Sequence, residues 1–110
     1  MIGWECKKAM GGAKPLEWPI HLWFKAVFVK PNSWSQKKKD TTYWHVVKPD
    51  LDNIEKLIKD ALKNVAWKDD CQVSYVIKTK VYVQNSLELP GLYIEIQDLS
   101  GFPQYPIYSQ

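Results

Sequence analysis

The chain has 110 residues, the length of one small domain able to bury a modest core, and its formal net charge at pH 7 is +3. No apolar run is long enough to span a bilayer and the N-terminus lacks the form of a signal peptide, so we expect neither a membrane protein nor a secreted one. Its two cysteines form neither a disulfide framework nor a zinc motif. The composition predicts a single domain over residues 1–110, cytoplasmic and without a membrane partner.

Charge is unevenly distributed along the chain. Residues 1–48 contain nine lysines and three acidic residues, a net charge of +6, whereas residues 49–110 contain six lysines and nine acidic residues, a net charge of −3. All fifteen basic residues are lysine, so the bidentate contacts of arginine to phosphate or guanine are missing. A basic half beside a half rich in carboxylates suits a protein that holds both a nucleic-acid backbone and a metal ion.

The N-terminal part is predicted to contain the end of a helix and then one long strand. Residues 1–12 look like a helix end that Gly11 and Gly12 terminate. From Leu16 to Phe28, apolar residues alternate with more mixed ones, which predicts a strand. A short extended piece is expected over residues 42–47.

A basic segment follows the first strand. It contains Lys37, Lys38 and Lys39, which we predict to lie in a polar loop. These lysines are the best candidates for contact with a DNA backbone, and Lys48 is the next candidate. A solvated loop kept soluble by its charge explains the same residues equally well.

An amphipathic helix is predicted directly after Pro49, because the residue before a proline is disfavoured in helical conformation. Asp50, Asp52 or Asn53 can cap its first amides, and Asn64 can end it in the left-handed conformation. The predicted apolar face recurs at the three- and four-residue spacing of a helix and consists of Leu51, Ile54, Leu57, Ile58, Ala61, Leu62 and Val65.

Aspartates lie at both approaches to this helix, Asp50 and Asp52 before it and Asp69 and Asp70 after it. If the chain folds them back into one cluster, their oxygens form a site for a hard cation, Mg²⁺ or Mn²⁺ rather than Zn²⁺. A magnesium site in a small basic protein points to phosphate chemistry. The alternative is that these aspartates have only a structural role, since aspartate is common as a helix cap and in turns before strands.

The C-terminal part is predicted to add two strands. Apolar residues alternate over residues 73–83, and again over residues 92–96 after the Pro90–Gly91 turn. Residues 99–110 show no clear periodicity and are expected to form an irregular tail. The fold class that we expect is α+β, a small mixed β-sheet with two helices and the amphipathic helix between strands.

Taken together, these motifs resemble the signature of the RusA family of Holliday-junction resolvases. The DxDN of that family at a helix start is found at residues 50–53, and its lysine four positions after the second aspartate is Lys56. An Asp-Ala-Leu lies at residues 60–62, and a DD-x-Q-V that enters the next strand lies at residues 69–73. The Pro-x-Ser-Trp-Ser segment of the family, followed by basic residues, is similar to residues 31–39.

The resemblance implies a magnesium-dependent endonuclease that acts as a homodimer on four-way DNA junctions. By position, Asp50, Asp52 and Asp70 are the implied metal ligands and Lys56 is the implied catalytic lysine, while Asp69 is assigned either to supporting the ligands or to the turn. A two-fold dimer presents two equivalent sites, which suits symmetric nicks on opposing strands.

Two other functions stay open. The family usually begins with a further strand and a basic segment that are missing here, which favours a branched-DNA-binding relative or assembly partner that no longer cuts. A nuclease for flaps or other branched DNA is the second. Retention of all four motif residues favours an enzyme, because a protein that only binds DNA has no chemical need for a lysine and three carboxylates together.

Overall fold

The computed structural model describes residues 11–85 and 87–101, so most of the predicted helical N-terminus and of the predicted irregular tail lies outside the described residues. Within them, no helix is both long enough and apolar enough to span a membrane. The elements in chain order are β1 (Ile20–Phe28), α1 (Gln36–Thr41), α2 (Leu51–Leu62), a 3₁₀ turn (Asp70–Gln72), β2 (Val73–Tyr82) and β3 (Gly91–Asp98).

The strands form one small mixed sheet with β1 at its centre, in the order β2-β1-β3. β1 pairs in parallel with β2, from Ile20 opposite Val73 to Phe28 opposite Tyr82, and it pairs antiparallel with β3. The parallel pair requires a long crossover, which α1 and α2 provide. The predicted α+β fold is therefore confirmed.

The first strand is shorter than its alternation suggests. β1 begins at Ile20, directly after Pro19, which has no N–H to donate to a sheet. Leu16 lies instead against the loop that follows α2, where its amide donates to the Ala66 carbonyl at 2.9 Å. The segment before β1 is thereby placed next to the approach to β2.

One face of α2 packs on one face of the sheet and forms the core. The buried residues of α2 repeat every four positions as one helical stripe. Leu57, which we predicted for this stripe, is 58% exposed, because it lies about 100° around the helix from the buried Ile58. The buried cluster consists of Ile20, Leu22, Phe24, Ala26, Ile54, Ile58, Leu62, Ala66 and Trp67.

Both ends of α2 lie where the sequence predicts them, although the Asp50 side chain makes no capping hydrogen bond. Asp50 is the N-cap residue, in extended conformation, and Leu62 is the last helical residue. Asn64 has a φ of 64°, the left-handed conformation expected where the helix stops.

The lysine run is a helix rather than the predicted polar loop. Ser35 is the N-cap of α1, and its hydroxyl accepts a hydrogen bond from the Lys38 amide at 3.2 Å. At the other end, the Lys30 amino group donates to the Lys39 carbonyl. The prediction was wrong because polar composition alone does not exclude a helix, and Ser35 supplies the local N-cap signal that starts one.

Candidate active site

The start of α2 presents the first two predicted metal ligands to solvent. Asp50 is exposed and its side chain makes no capping hydrogen bond, although the residue occupies the N-cap position. Asp52 lies in the first turn, and its side chain is 93% exposed. Both carboxylates lie near the positive end of the helix dipole, which favours negative charge there.

Lys80 holds the loop that leads into this helix start. Its amino group donates to the carbonyls of Val47 and Pro49, at 2.7 Å each. Lys80 lies on β2 opposite Ala26 of the central strand, so this loop is tied to the sheet. Sequence reasoning missed the role, because nothing in the alternation of β2 indicates which lysine reaches a backbone carbonyl.

Another β2 lysine, Lys78, contacts the acidic residues of α2 directly. Its amino group lies 2.9 Å from an Asp52 oxygen and 2.8 Å from a Glu55 oxygen, and the second Glu55 oxygen lies 2.7 Å from the Lys59 amino group. Hydrogen bonds to Glu55 and Asp52 raise the pKa of Lys78. Burial acts to raise the pKa of Glu55, but hydrogen bonds from Lys59 and Lys78 outweigh it and lower that pKa. Lys78 and Glu55 are therefore charged at neutral pH.

Asp70, the third predicted ligand, is held by the core. The indole Nε1 of Trp67, a fully buried side chain, donates to Asp70 Oδ1 at 2.9 Å. Its neighbour Asp69 caps the 3₁₀ turn and accepts the Cys71 amide at 2.9 Å, a hydrogen bond that lowers the pKa of Asp69. Asp69 thus has the turn role predicted for it. Cys71 is exposed, and its hydrogen bond to Asp69 raises the pKa of the thiol.

Gln72 fixes this turn to the segment before β1. Its side-chain nitrogen donates to the carbonyls of Leu16 and Trp18, at 2.9 and 3.0 Å. Its side-chain oxygen accepts the amides of Lys68 and Asp69, at 3.0 and 2.7 Å. The positioning role could not be read from the sequence, because these carbonyls lie 56 and 54 residues away along the chain.

The two approaches to α2 lie at opposite ends of the helix. In its first turn, Asp52 pairs with Lys78. Asp70 instead accepts a hydrogen bond from Trp67, and Trp67 forms a backbone bridge with Lys63, the residue just after the last turn. The twelve residues of α2 span about 18 Å. Oxygens that share one cation lie within about 5 Å of each other, since each is about 2–2.6 Å from the ion.

A single chain therefore does not gather the predicted ligands. Across residues 11–85 and 87–101 there is no group of three or more His, Cys, Asp or Glu side chains that could hold a metal ion. The expectation that both aspartate pairs fold back into one cluster is not met within one chain. The assignment of Asp50, Asp52 and Asp70 as ligands stays a prediction.

The lysines predicted to contact DNA share the end of the sheet where α2 starts. Trp34 precedes α1 and packs edge-on against Tyr82, the last residue of β2, with ring centroids 5.0 Å apart. The amino group of Lys38 lies 4.4 Å from the Trp34 ring centre. Lys39 is half-buried, and the other predicted basic residues are exposed, namely Lys37, Lys38, Lys48 and Lys56.

Both histidines pack against aromatic rings. His45 is buried and stacks on Phe28 with ring centroids 3.8 Å apart. Burial, assisted by the charge of Lys80, lowers the pKa of His45. His21 stacks on Tyr75 with ring centroids 4.2 Å apart.

The start of α2 thus combines accessible carboxylates with exposed lysines nearby. The model of the RusA endodeoxyribonuclease family matches residues 1–97. The chain belongs to the RusA family. The match extends well beyond residues 44–73, where the motifs are clearest, and confirms the resemblance. Searches of curated proteins and of solved structures found no match.

The donor chemistry of this RusA-family chain fits a hard divalent cation. Asp50 and Asp52 offer carboxylate oxygens at an exposed helix start, and oxygen is the donor that Mg²⁺ and Mn²⁺ prefer. One chain supplies only part of the predicted ligand set at this end, because Asp70 lies beyond the other end of α2.

Proposed function

We propose that this RusA-family chain is a magnesium-dependent, structure-selective endodeoxyribonuclease that makes paired symmetric nicks at four-way (Holliday) junctions as a homodimer. Asp50, Asp52 and Asp70 are the proposed metal ligands, for Mg²⁺ or alternatively Mn²⁺, and Lys56 is the proposed catalytic lysine. The observation that carries the proposal is the pair of accessible carboxylates at one helix start in a chain that the endodeoxyribonuclease model covers over residues 1–97.

The residues of the chain supply binding and charge for this reaction. A bound divalent cation polarises the scissile phosphate and lowers the pKa of a bound water. Asp50 and Asp52 provide the anionic oxygens that hold such a cation. Lys56 is exposed one turn beyond Asp52 on the same side of α2, so its ammonium can reach a phosphate oxygen at the helix start.

Lysines around the same end are proposed to hold the DNA backbone. Lys37, Lys38 and Lys39 lie on α1, and Lys48 lies on the loop before α2. Lysine is a point charge without a planar fork, so contacts of this kind attract phosphates without distinguishing bases. We therefore expect weak sequence preference at the cleavage site. The activity proposed here places the protein in the cytoplasm, on nucleoid DNA.

The separation of the carboxylates supports a homodimer. Asp70 lies beyond the far end of α2 from Asp52, so three carboxylates around one cation require a second chain. In a two-fold dimer, Asp50 and Asp52 of one protomer can meet Asp70 of the partner subunit, and the symmetry axis creates a second site of the same kind. Two such sites suit paired nicks on opposing strands.

Cleavage of a labelled synthetic four-way junction in Mg²⁺, beside a linear duplex and a flap, tests this proposal. We expect symmetric nicks on the junction that disappear in Asp70→Asn. Glu95→Gln, which removes an exposed carboxylate on β3, is the matched control and should retain cleavage.

The other outcomes identify the alternatives. Tight junction binding without magnesium-dependent nicks would contradict the enzyme and leave a branched-DNA-binding relative or assembly partner. Equal cleavage of the flap and the junction would instead indicate a broader branched-DNA nuclease.

A further inference from the structure

Lys78 is the lysine that the fold brings against the acidic residues of α2, although Lys56 is the one that the motif indicates. The Lys78 ammonium lies 2.9 Å from Asp52, whose side chain is 93% exposed, while the Lys78 side chain is only 28% exposed. The ion pair thus joins a cation packed between helix and sheet to a carboxylate that is open to solvent.

The position of Lys78 does not depend on Asp52. Lys78 lies on β2 opposite Phe24, a core residue of the central strand, so its backbone is set by the sheet. Its amino group is also bonded to Glu55 at 2.8 Å, and Glu55 is in turn bonded to Lys59. When Asp52 turns toward another partner, Glu55 still holds the ammonium in place.

We propose that Lys78 is a positioning residue of the site, a resident ammonium that orients the Asp52 carboxylate and weakens divalent-cation binding in the absence of DNA. The inference rests on the proposed function, because it takes Asp52 as a metal ligand. A divalent cation on Asp52 is repelled by the fixed ammonium beside it. A DNA phosphate brings negative charge that offsets this repulsion, so the cation binds most favourably together with its substrate.

Titration of the DNA-free protein with Mn²⁺ by calorimetry tests the proposal with Lys78→Met, which keeps the aliphatic length and removes the charge. We expect the Kd for Mn²⁺ to fall about three- to tenfold, an effect that shrinks as salt is raised because it is electrostatic. Junction cleavage should slow at the same time, because Asp52 loses its orienting partner. If Lys78 only stabilised the fold, its replacement would instead weaken both Mn²⁺ binding and junction cleavage.

Two variants control for charge and size. Lys59→Met removes the same charge from the other oxygen of Glu55 and leaves the contacts of Asp52 intact. On a logarithmic scale, it should therefore change the Mn²⁺ affinity less than half as much as Lys78→Met does. Lys78→Arg keeps the charge and should bind Mn²⁺ like the wild type. If circular dichroism shows that Lys78→Met does not fold, Lys78→Gln replaces it in the same titration.

The failure of this inference is distinct from the failure of the proposed function. Wild-type binding of Mn²⁺ with equal or weaker binding to Lys78→Met would overturn the inference and leave the metal site standing. No Mn²⁺ binding to either protein would overturn the proposed metal site and the inference with it.

Discussion

The two approaches to α2 hold their aspartates in different ways. Asp52 is almost fully exposed and pairs with the Lys78 ammonium, whereas Asp70 accepts a hydrogen bond from the fully buried Trp67. Gln72 further ties the Asp70 turn to the segment before β1 through two hydrogen bonds, and its side-chain oxygen accepts two more from amides of the turn. A carboxylate fixed by the core keeps its geometry, and an exposed one adjusts to what binds it. The proposed site therefore combines a rigid half with an adjustable half.

The largest expected effect is on junction cleavage, when an inactive variant of the adjustable half is mixed with an inactive variant of the rigid half. Asp52→Asn and Asp70→Asn should each lower junction cleavage by at least about 100-fold. If the halves meet across a dimer, a mixed dimer of these variants has one site with both aspartates intact, so nicking of the labelled junction should return.

The control for this mixture is Asp50→Asn with Asp52→Asn, which damages the same half in both chains and should stay inactive. Native mass spectrometry checks that mixed dimers form. Mixed dimers of Asp52→Asn and Asp70→Asn without activity would mean that each site is built within one chain.

Trp67→Phe tests the rigid half alone. It keeps an aromatic ring in the core but removes the N–H that Asp70 accepts, so the carboxylate loses its orientation. We expect the affinity for Mn²⁺ to fall about 10- to 100-fold, the usual effect of removing a group that orients a metal ligand. Calorimetry measures it, with the exposed Trp44 changed to Phe as control. Unchanged affinity would show that the indole does not position Asp70.

Gln72→Met tests how strongly the turn is tied to the fold. Methionine fills a similar space but removes four hydrogen bonds, which should lower the free energy of unfolding by about 2–4 kcal/mol. Urea denaturation measures the loss. Gln97→Met on the exposed side of β3 should change the same free energy by less than about 0.5 kcal/mol. Similar losses in both variants would contradict the role of Gln72.

The smallest effect concerns His45, next to the loop that leads to Asp50. Burial lowers its pKa below the ordinary value of 6.5, so the folded state binds this proton less readily than the unfolded state. His45 therefore lowers the free energy of unfolding progressively as pH falls below 6.5, by about 1.4 kcal/mol per pH unit at most.

His45→Gln should flatten this part of the pH dependence. Thermal or urea unfolding at several pH values from 7 downward, about half a unit apart, measures the difference between the two proteins, which cancels the carboxylates common to both. Parallel curves for wild type and variant would show that His45 titrates alike in the folded and unfolded states.

Local signals predicted much of this structure. Pro49 and Asn64 mark the ends of α2, because each restricts the backbone around it. Local reading was wrong where tertiary packing decides, as at Leu57, which has helical spacing but lies off the buried stripe. Helix α1 was missed although Ser35 carried its start signal.

By itself, the sequence determined the periodic elements, the helix caps and the family motif, since these depend on neighbouring residues and backbone chemistry. Only the tertiary structure decided which strand residues lie beside each end of α2. The parallel pairing of β1 and β2 sets Val73 beside Ile20 and Lys78 beside Phe24, and this register brings Lys78 to the start of α2 while Asp70 stays at its end. Such a register depends on residues about 50 positions apart, and no local pattern encodes it.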